Sequence, residues 1–201
     1  MTRFILLFTL LVAACTPEEA AETLRTSRGT ARGAVGAAAD SLAASAPEMP
    51  SQAAGADTSW TTSAVGVERD DHTMLLDVRA ASHDGFDRIV MDFGSRPLPG
   101  YRVEYVRPPV TQCGSGAEVD LPGTGFLSVR MQPAAAHTEE GVAMVDRRDR
   151  RLDLPVLLQL TATCDFEADV TWVAALRTQN PIRVLELESP NRIVIDIRHR
   201  M

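Results

Sequence analysis

Apolar and polar residues alternate with period two in two stretches that nearly repeat each other. Asp87-Arg88-Ile89-Val90-Met91-Asp92-Phe93 returns near the C-terminus as Asn191-Arg192-Ile193-Val194-Ile195-Asp196-Ile197. Ile89, Met91 and Phe93 share one face, as do Ile193, Ile195 and Ile197. Arg88, Val90 and Asp92, like Arg192, Val194 and Asp196, point the other way. This is the signature of a strand with one buried face and one largely wet face. The two strands are read as the frame of a single β domain.

Further strand signals follow at short intervals, with turn residues between them. Val65 and Val67 predict a short strand, and Met74–Ala80 a second. His83-Asp84-Gly85 turns the chain into the first repeat. Tyr101–Val106 and Phe126–Met131 alternate in the same way. Between Pro133 and Pro155 the pattern is weaker: Gly141–Val145 reads as a short strand and Arg147–Leu154 as a charged loop. Val156–Thr163, Asp169–Leu176, Ile182–Leu187 and Arg192–Arg198 complete the set. No long helical period occurs after residue 59. About seven to ten strands in a stretch of this length predict an all-β fold, an antiparallel sandwich or a closely related barrel, over residues 60–201.

The first 59 residues differ in kind. Met1-Thr2-Arg3 is a short positive start, and Phe4–Ala14 is an uncharged apolar run. That run is shorter than the roughly 20 residues a spanning helix needs, and it fits a signal peptide over residues 1–14. Its end, Leu11-Val12-Ala13-Ala14-Cys15, resembles the lipobox of bacterial lipoproteins. The resemblance implies cleavage before Cys15 and acylation of its sulfur, and two or more acyl chains make a stable anchor. Residues 15–59 then read as a linker rich in Ala, Ser, Thr, Gly, Pro and Glu. Such a composition buries too little apolar surface to offset ordering entropy, so a disordered spacer is expected.

Formal net charge is −7, and the chain has no lysine, so all 20 basic residues are arginine. An acidic chain of this kind is a poor partner for nucleic acid, because phosphate contacts dominate that affinity. Of the three cysteines, Cys15 belongs to the lipobox. Cys113 and Cys164 remain, each at a loop end beside a predicted strand, in a compartment where disulfides persist. A bridge between them is expected.

Candidate chemistry is sparse. His72, His83, His137 and His199 show no metal-ligand spacing, and no metal or cofactor is expected. Asp92 and Asp196 occupy equivalent places in the two repeats and invite comparison with a glycosidase carboxylate pair. Balancing Arg88 and Arg192 on the outward face is the simpler reading. Arg147-Arg148-Asp149-Arg150-Arg151 is the densest charge cluster and a candidate for anionic glycan or phosphate, diluted by Asp146, Asp149 and Asp153. Trp60, Trp172, Tyr101 and Tyr105 could serve as sugar platforms, although strand aromatics are more often core. No nucleophile elbow, phosphate loop or dinucleotide fingerprint is present, and no catalytic residue is assigned.

His83–Phe93, Pro99–Tyr105, Asp165–Trp172, Ile182–Leu187 and Ser189–Ile197 together resemble the AMIN-like domain of bacterial envelope proteins. The resemblance covers roughly residues 82–199. It implies a secreted or lipid-anchored β domain, related to the AMIN domain that targets cell-wall amidases and secretion pores to peptidoglycan. No amidase domain accompanies it here. The expectation is a non-enzymatic, lipid-anchored module outside the cytoplasm, in the outer membrane if the organism is diderm and otherwise on the outer face of the cytoplasmic membrane. Its partner would be peptidoglycan or another wall polymer, with Arg88, Arg192, Arg147, Arg148, Arg150 and Arg151 as candidate contacts. The alternatives are a sheet face or edge that docks an envelope protein, and a hydrolase with an unrecognised site.

Overall fold

The computed structural model describes residues 59–199. The expected signal peptide, Cys15 and all but the last residue of the linker lie outside the described residues.

Among the described residues there are twelve strands and no helix: β1 (Val65–Val67), β2 (Thr73–Met74), β3 (Asp77–His83), β4 (Phe86–Gly94), β5 (Gly100–Val106), β6 (Gly125–Gln132), β7 (Ala134–Ala135), β8 (Asp149–Arg151), β9 (Leu157–Phe166), β10 (Asp169–Leu176), β11 (Ile182–Leu187) and β12 (Asn191–Arg198). They form a six-stranded sheet of order β1-β5-β6-β10-β9-β8 and a four-stranded sheet of order β11-β12-β4-β3, with β2 and β7 as a short parallel pair. Both large sheets are antiparallel. Neither is closed, so the sandwich alternative holds and the barrel does not.

Period-two alternation decides which side chains meet between the sheets. Ile89, Met91 and Phe93 of β4 and Ile193, Ile195 and Ile197 of β12 are fully buried, in one core cluster with Val103, Leu127, Val129, Met131, Trp172 and Leu176 of the six-stranded sheet. The two repeats that framed the sequence reading are therefore neighbouring strands of one sheet. They run antiparallel, with Ile195 opposite Ile89 and Ile193 opposite Met91.

Three elements depart from expectation. The stretch Met74–Ala80 is two strands: Leu75 N–H donates to the Ala135 carbonyl at 2.8 Å, while Leu76 N–H turns to the Asp92 carbonyl at 2.8 Å. The chain changes partner at that point, and a hydrophobic pattern does not record a change of partner. Gly141–Val145 is not a strand. It is a turn closed by an isolated bridge between His137 and Ala143, with Thr138 N–H donating to the Val142 carbonyl and Met144 N–H to the Ala136 carbonyl, both at 2.9 Å. Conversely, Asp149–Arg151, read as loop, is the edge strand β8. Strands of two or three residues such as β2, β7 and β8 carry no full alternation, which is why the strand count exceeds expectation.

The segment between β5 and β6 makes an excursion to β9 and back. Cys113 N–H donates to the Thr163 carbonyl at 2.9 Å and Thr124 N–H to the Leu176 carbonyl at 3.0 Å. A disulfide joins Cys113 to Cys164, with Cα atoms 5.2 Å apart. Gly123 has φ +86°, and a Cβ there would lie 2.0 Å from the Leu176 carbonyl oxygen, so only glycine fits this return.

Candidate ligand face on the four-stranded sheet

The outward side of the four-stranded sheet carries side chains in rows set by the strand register. At one end, His83, Phe86 and Arg198 stand side by side on β3, β4 and β12. The next row is Ala81, Arg88, Asp196 and Arg183, running from β3 through β4 and β12 to β11. Behind it come Arg79, Val90, Val194 and Leu185, then Asp77, Asp92, Arg192 and Leu187. The antiparallel pairing sets the arginine of one repeat opposite the aspartate of the other.

Asp196 is the centre of the second row. Arg88 grips it with two bonds, Nε to Oδ1 at 2.6 Å and Nη2 to Oδ2 at 2.9 Å. Arg183 adds a third, Nε to Oδ2 at 2.8 Å. The Asp196 side chain is 0% exposed, whereas Arg88 and Arg183 keep 28% and 27%. The sequence predicted a wet face here. It is dry at its centre because long arginine stems cover what they pair with. Val194, Leu185 and Leu187 are likewise buried and pack with Val90 into a small second apolar cluster. The other expected pairing is not made in the same way: Arg192 donates Nε to the Pro190 carbonyl, and Asp92 pairs with Arg79 at 3.1 Å.

Two aromatic rings hold the guanidinium groups in place. Arg183 Cζ lies 4.7 Å from the Trp60 ring centroid and 5.3 Å from that of Phe86. Arg198 lies 5.4 Å from the Trp60 ring and Arg88 5.1 Å from the Phe86 ring. His83 stacks on Phe86 at 5.1 Å. Such contacts contribute roughly 0.5–1 kcal/mol each at exposed sites and fix guanidinium orientation as well.

Backbone bonds place these rings and cations. Thr61 exchanges both backbone bonds with Ile182, at 2.8 and 2.7 Å, which sets Trp60 beside Arg183. Asn180, almost wholly buried, donates Nδ2 to the Arg198 carbonyl at 2.7 Å. Its own N–H bonds the Tyr105 hydroxyl at 3.1 Å. His199 N–H donates to the Gly85 carbonyl at 2.8 Å, and its Nε2 lies 2.9 Å from Asp87 Oδ1. Asp87 is fully buried on the opposite, core-facing side of β4 and also accepts the Val156 and Leu157 N–H groups. Burial alone would raise the Asp87 carboxyl. The Leu157 N–H, the His199 ring and the Val156 N–H outweigh it and hold it below its usual range.

Counted by outward position, the sheet presents Arg79, Arg88, Arg183, Arg192 and Arg198 against Asp77, Asp92 and Asp196. Five cations against three anions make this face positive in a chain whose net charge is −7. Arg198 is exposed and meets no carboxylate among the described residues.

Of the sequence candidates, Arg88 and Arg192 lie on this face, while the Arg147–Arg151 cluster lies elsewhere and does not form one patch. Arg148 bonds the Asp165 carboxylate and the Ala136 carbonyl. Arg150 reaches from β8 to the Val78 carbonyl of β3, tying the edges of the two sheets together. Arg147 and Arg151 are exposed. The sequence reading missed Arg183, Arg198 and Phe86 as site residues. Their outward positions followed from the alternation of β4, β11 and β12, but their meeting depends on which strands pair.

Asp92 and Asp196 are both ion-paired, and Asp196 is closed to solvent, so neither is placed as a proton donor or nucleophile. Open hollows of about 370 to 500 Å³ lie among the described residues, and those lined by Tyr101, Val119, Cys164 and Asn191 bring no two buried carboxylates together. Among the described residues no group of three or more His, Cys, Asp or Glu side chains gathers as metal ligands.

The fold and this face define a β-sandwich module carrying a cationic surface ordered on aromatic rings. Residues 73–199 match the family model of the AMIN-like domain, and the chain belongs to that family. Membership points to a module of the cell envelope. No curated protein and no solved structure gives a significant match.

Proposed function

We propose that the chain is a non-enzymatic, lipid-anchored protein of the bacterial envelope whose β domain binds peptidoglycan or another wall polymer. Acylated Cys15 is the anchor, and residues 16–59 are the spacer that lets the domain reach the wall. The observation that carries the binding assignment is the cationic face of the four-stranded sheet, where Arg88 and Arg183 hold a single carboxylate and Arg198 stands over Trp60 with no carboxylate partner among the described residues. A positive surface on an acidic protein selects an anionic polymer and steers its approach.

The direct test is co-sedimentation of the purified full chain, in mild detergent, with insoluble peptidoglycan over a range of salt. Retention that falls as salt rises is expected, since exposed charges are screened. Absence of retention at low salt sinks the assignment.

One observation favours protein docking as a second reading. Phe166, at the turn between β9 and β10, is 62% exposed, an unusual place for a large apolar ring.

A further inference from the structure

We infer that the group read by this face is a carboxylate of the wall polymer, held by the guanidinium edges of Arg198 and Arg183, and that the aromatic rings do not stack on sugar. This rests on the wall-binding reading above and makes it specific.

The rings at the site already have partners. Trp60 carries Arg183 and Arg198, and Phe86 carries Arg88, Arg183 and His83. A guanidinium lying over a ring keeps its N–H donors in its own plane, directed sideways as a fork. Trp60 and Phe86 are therefore supports that aim donors along the sheet surface. A sugar ring would have to displace a cation to stack on either.

The donors left over match an oxyanion. Asp196 takes Nε and Nη2 of Arg88 and Nε of Arg183. The terminal nitrogens of Arg183 and the whole fork of Arg198 bond no carboxylate among the described residues. Three guanidinium groups and one aspartate leave two positive charges. The protein itself shows the geometry that satisfies such a fork: Arg88 holds the planar Asp196 carboxylate with two near-parallel bonds. A second carboxylate beside Arg198 would complete the same arrangement, and charge-assisted pairs of this kind are the strong ones. Peptide-bearing wall glycan offers such groups at regular intervals, so one site per domain can bind a repeating polymer.

The test uses the full chain in mild detergent and three preparations of one wall material: native, stripped of attached phosphate polymers, and stripped then amidated at its carboxylates. The expected result is equal retention on the first two and at least about a tenfold loss on the third, the size of one lost charged hydrogen bond or more. Arg198→Gln should show the same loss on stripped wall with a melting temperature lowered by no more than about 4 °C, because Arg198 is exposed and gives up only its contact with the Trp60 ring. Arg198→Lys should recover only part of the retention, since it restores charge but not the fork. Equal retention after amidation overturns the carboxylate assignment and leaves wall binding standing. Retention only on native wall assigns the contact to phosphate and overturns it too. No retention on any preparation removes the wall-binding reading itself.

Discussion

Arg183 and Asp196 face each other across β11 and β12, Nε to Oδ2 at 2.8 Å, and the aspartate has no exposed side-chain surface. Asp196 therefore acts as the fixed counter-charge of a cationic face. Replacing it with asparagine leaves Arg88 and Arg183 unneutralised beside each other. Both arginines keep partial contact with water, which moderates the cost. Asp196→Asn is expected to destabilise the domain by about 2 kcal/mol, a fall in melting temperature of about 5–8 °C. Thermal unfolding followed by circular dichroism measures it.

Trp60 provides a reporter. It is partly exposed at the proposed site, whereas Trp172, the chain's other tryptophan, is 1% exposed in the core. Anionic wall fragments that move Arg183 or Arg198 should change Trp60 emission and leave Trp172 unaffected. The fluorescence response to soluble peptidoglycan fragments should vanish in Trp60→Phe. A full response in that variant would place binding elsewhere.

The disulfide between Cys113 and Cys164 pins the excursion between β5 and β6 onto β9. It closes a loop with a sequence separation of 51. By loop entropy this contributes about 4 kcal/mol as an upper estimate. The double variant Cys113→Ser, Cys164→Ser is expected to melt about 10 °C lower than the oxidised protein. The cationic face lies on the other sheet, so wall retention below the new melting point should be unchanged.

Acid stability follows from Asp87 and Asp165. For Asp165, burial alone would raise the carboxyl, but the Ala136 N–H, His137 and Arg148 hold it low, as the Leu157 N–H and its companions do for Asp87. A carboxyl depressed in the folded state is protonated first in the unfolded chain. Its stabilisation is complete above the ordinary value near 4 and is lost as pH falls through the lower folded value. These two groups add no slope between pH 7 and 5, and stability should drop below about pH 4. Denaturant midpoints across that range test this. Asp87→Asn should flatten the acid limb.

Much of the fold could be read from alternation alone. β4, β5, β6, β10, β11 and β12 fall within a residue or so of their predicted bounds, because each exceeds five residues and keeps one face in the core. What escaped were β2, β7 and β8, whose few residues are defined by a partner strand and not by a pattern. The site was half legible. Arg88 and Asp196 were visible as outward charges in the two repeats, and pairing one with the other across β4 and β12 follows from their antiparallel register. Arg183 and Arg198 were not singled out, because nothing in a linear sequence says that β11 borders β12 or that Thr61 returns Trp60 to that edge. The run from Arg147 to Arg151 was read as a candidate patch, with a solvated charged loop as the simpler reading. Its density suggested a patch, but β8 alternates, so Arg150 turns toward Val78 while its neighbours face out.

The most direct test of the ligand face is hydrogen exchange of the full chain with and without soluble peptidoglycan fragments. Slowed exchange is expected around Thr61, from His83 to Arg88, and at Arg183 and Asp196–His199, where the rings and guanidinium groups are anchored. Protection confined to Arg147–Arg151 or to the turn at Phe166, with none on the four-stranded sheet, would contradict the assignment.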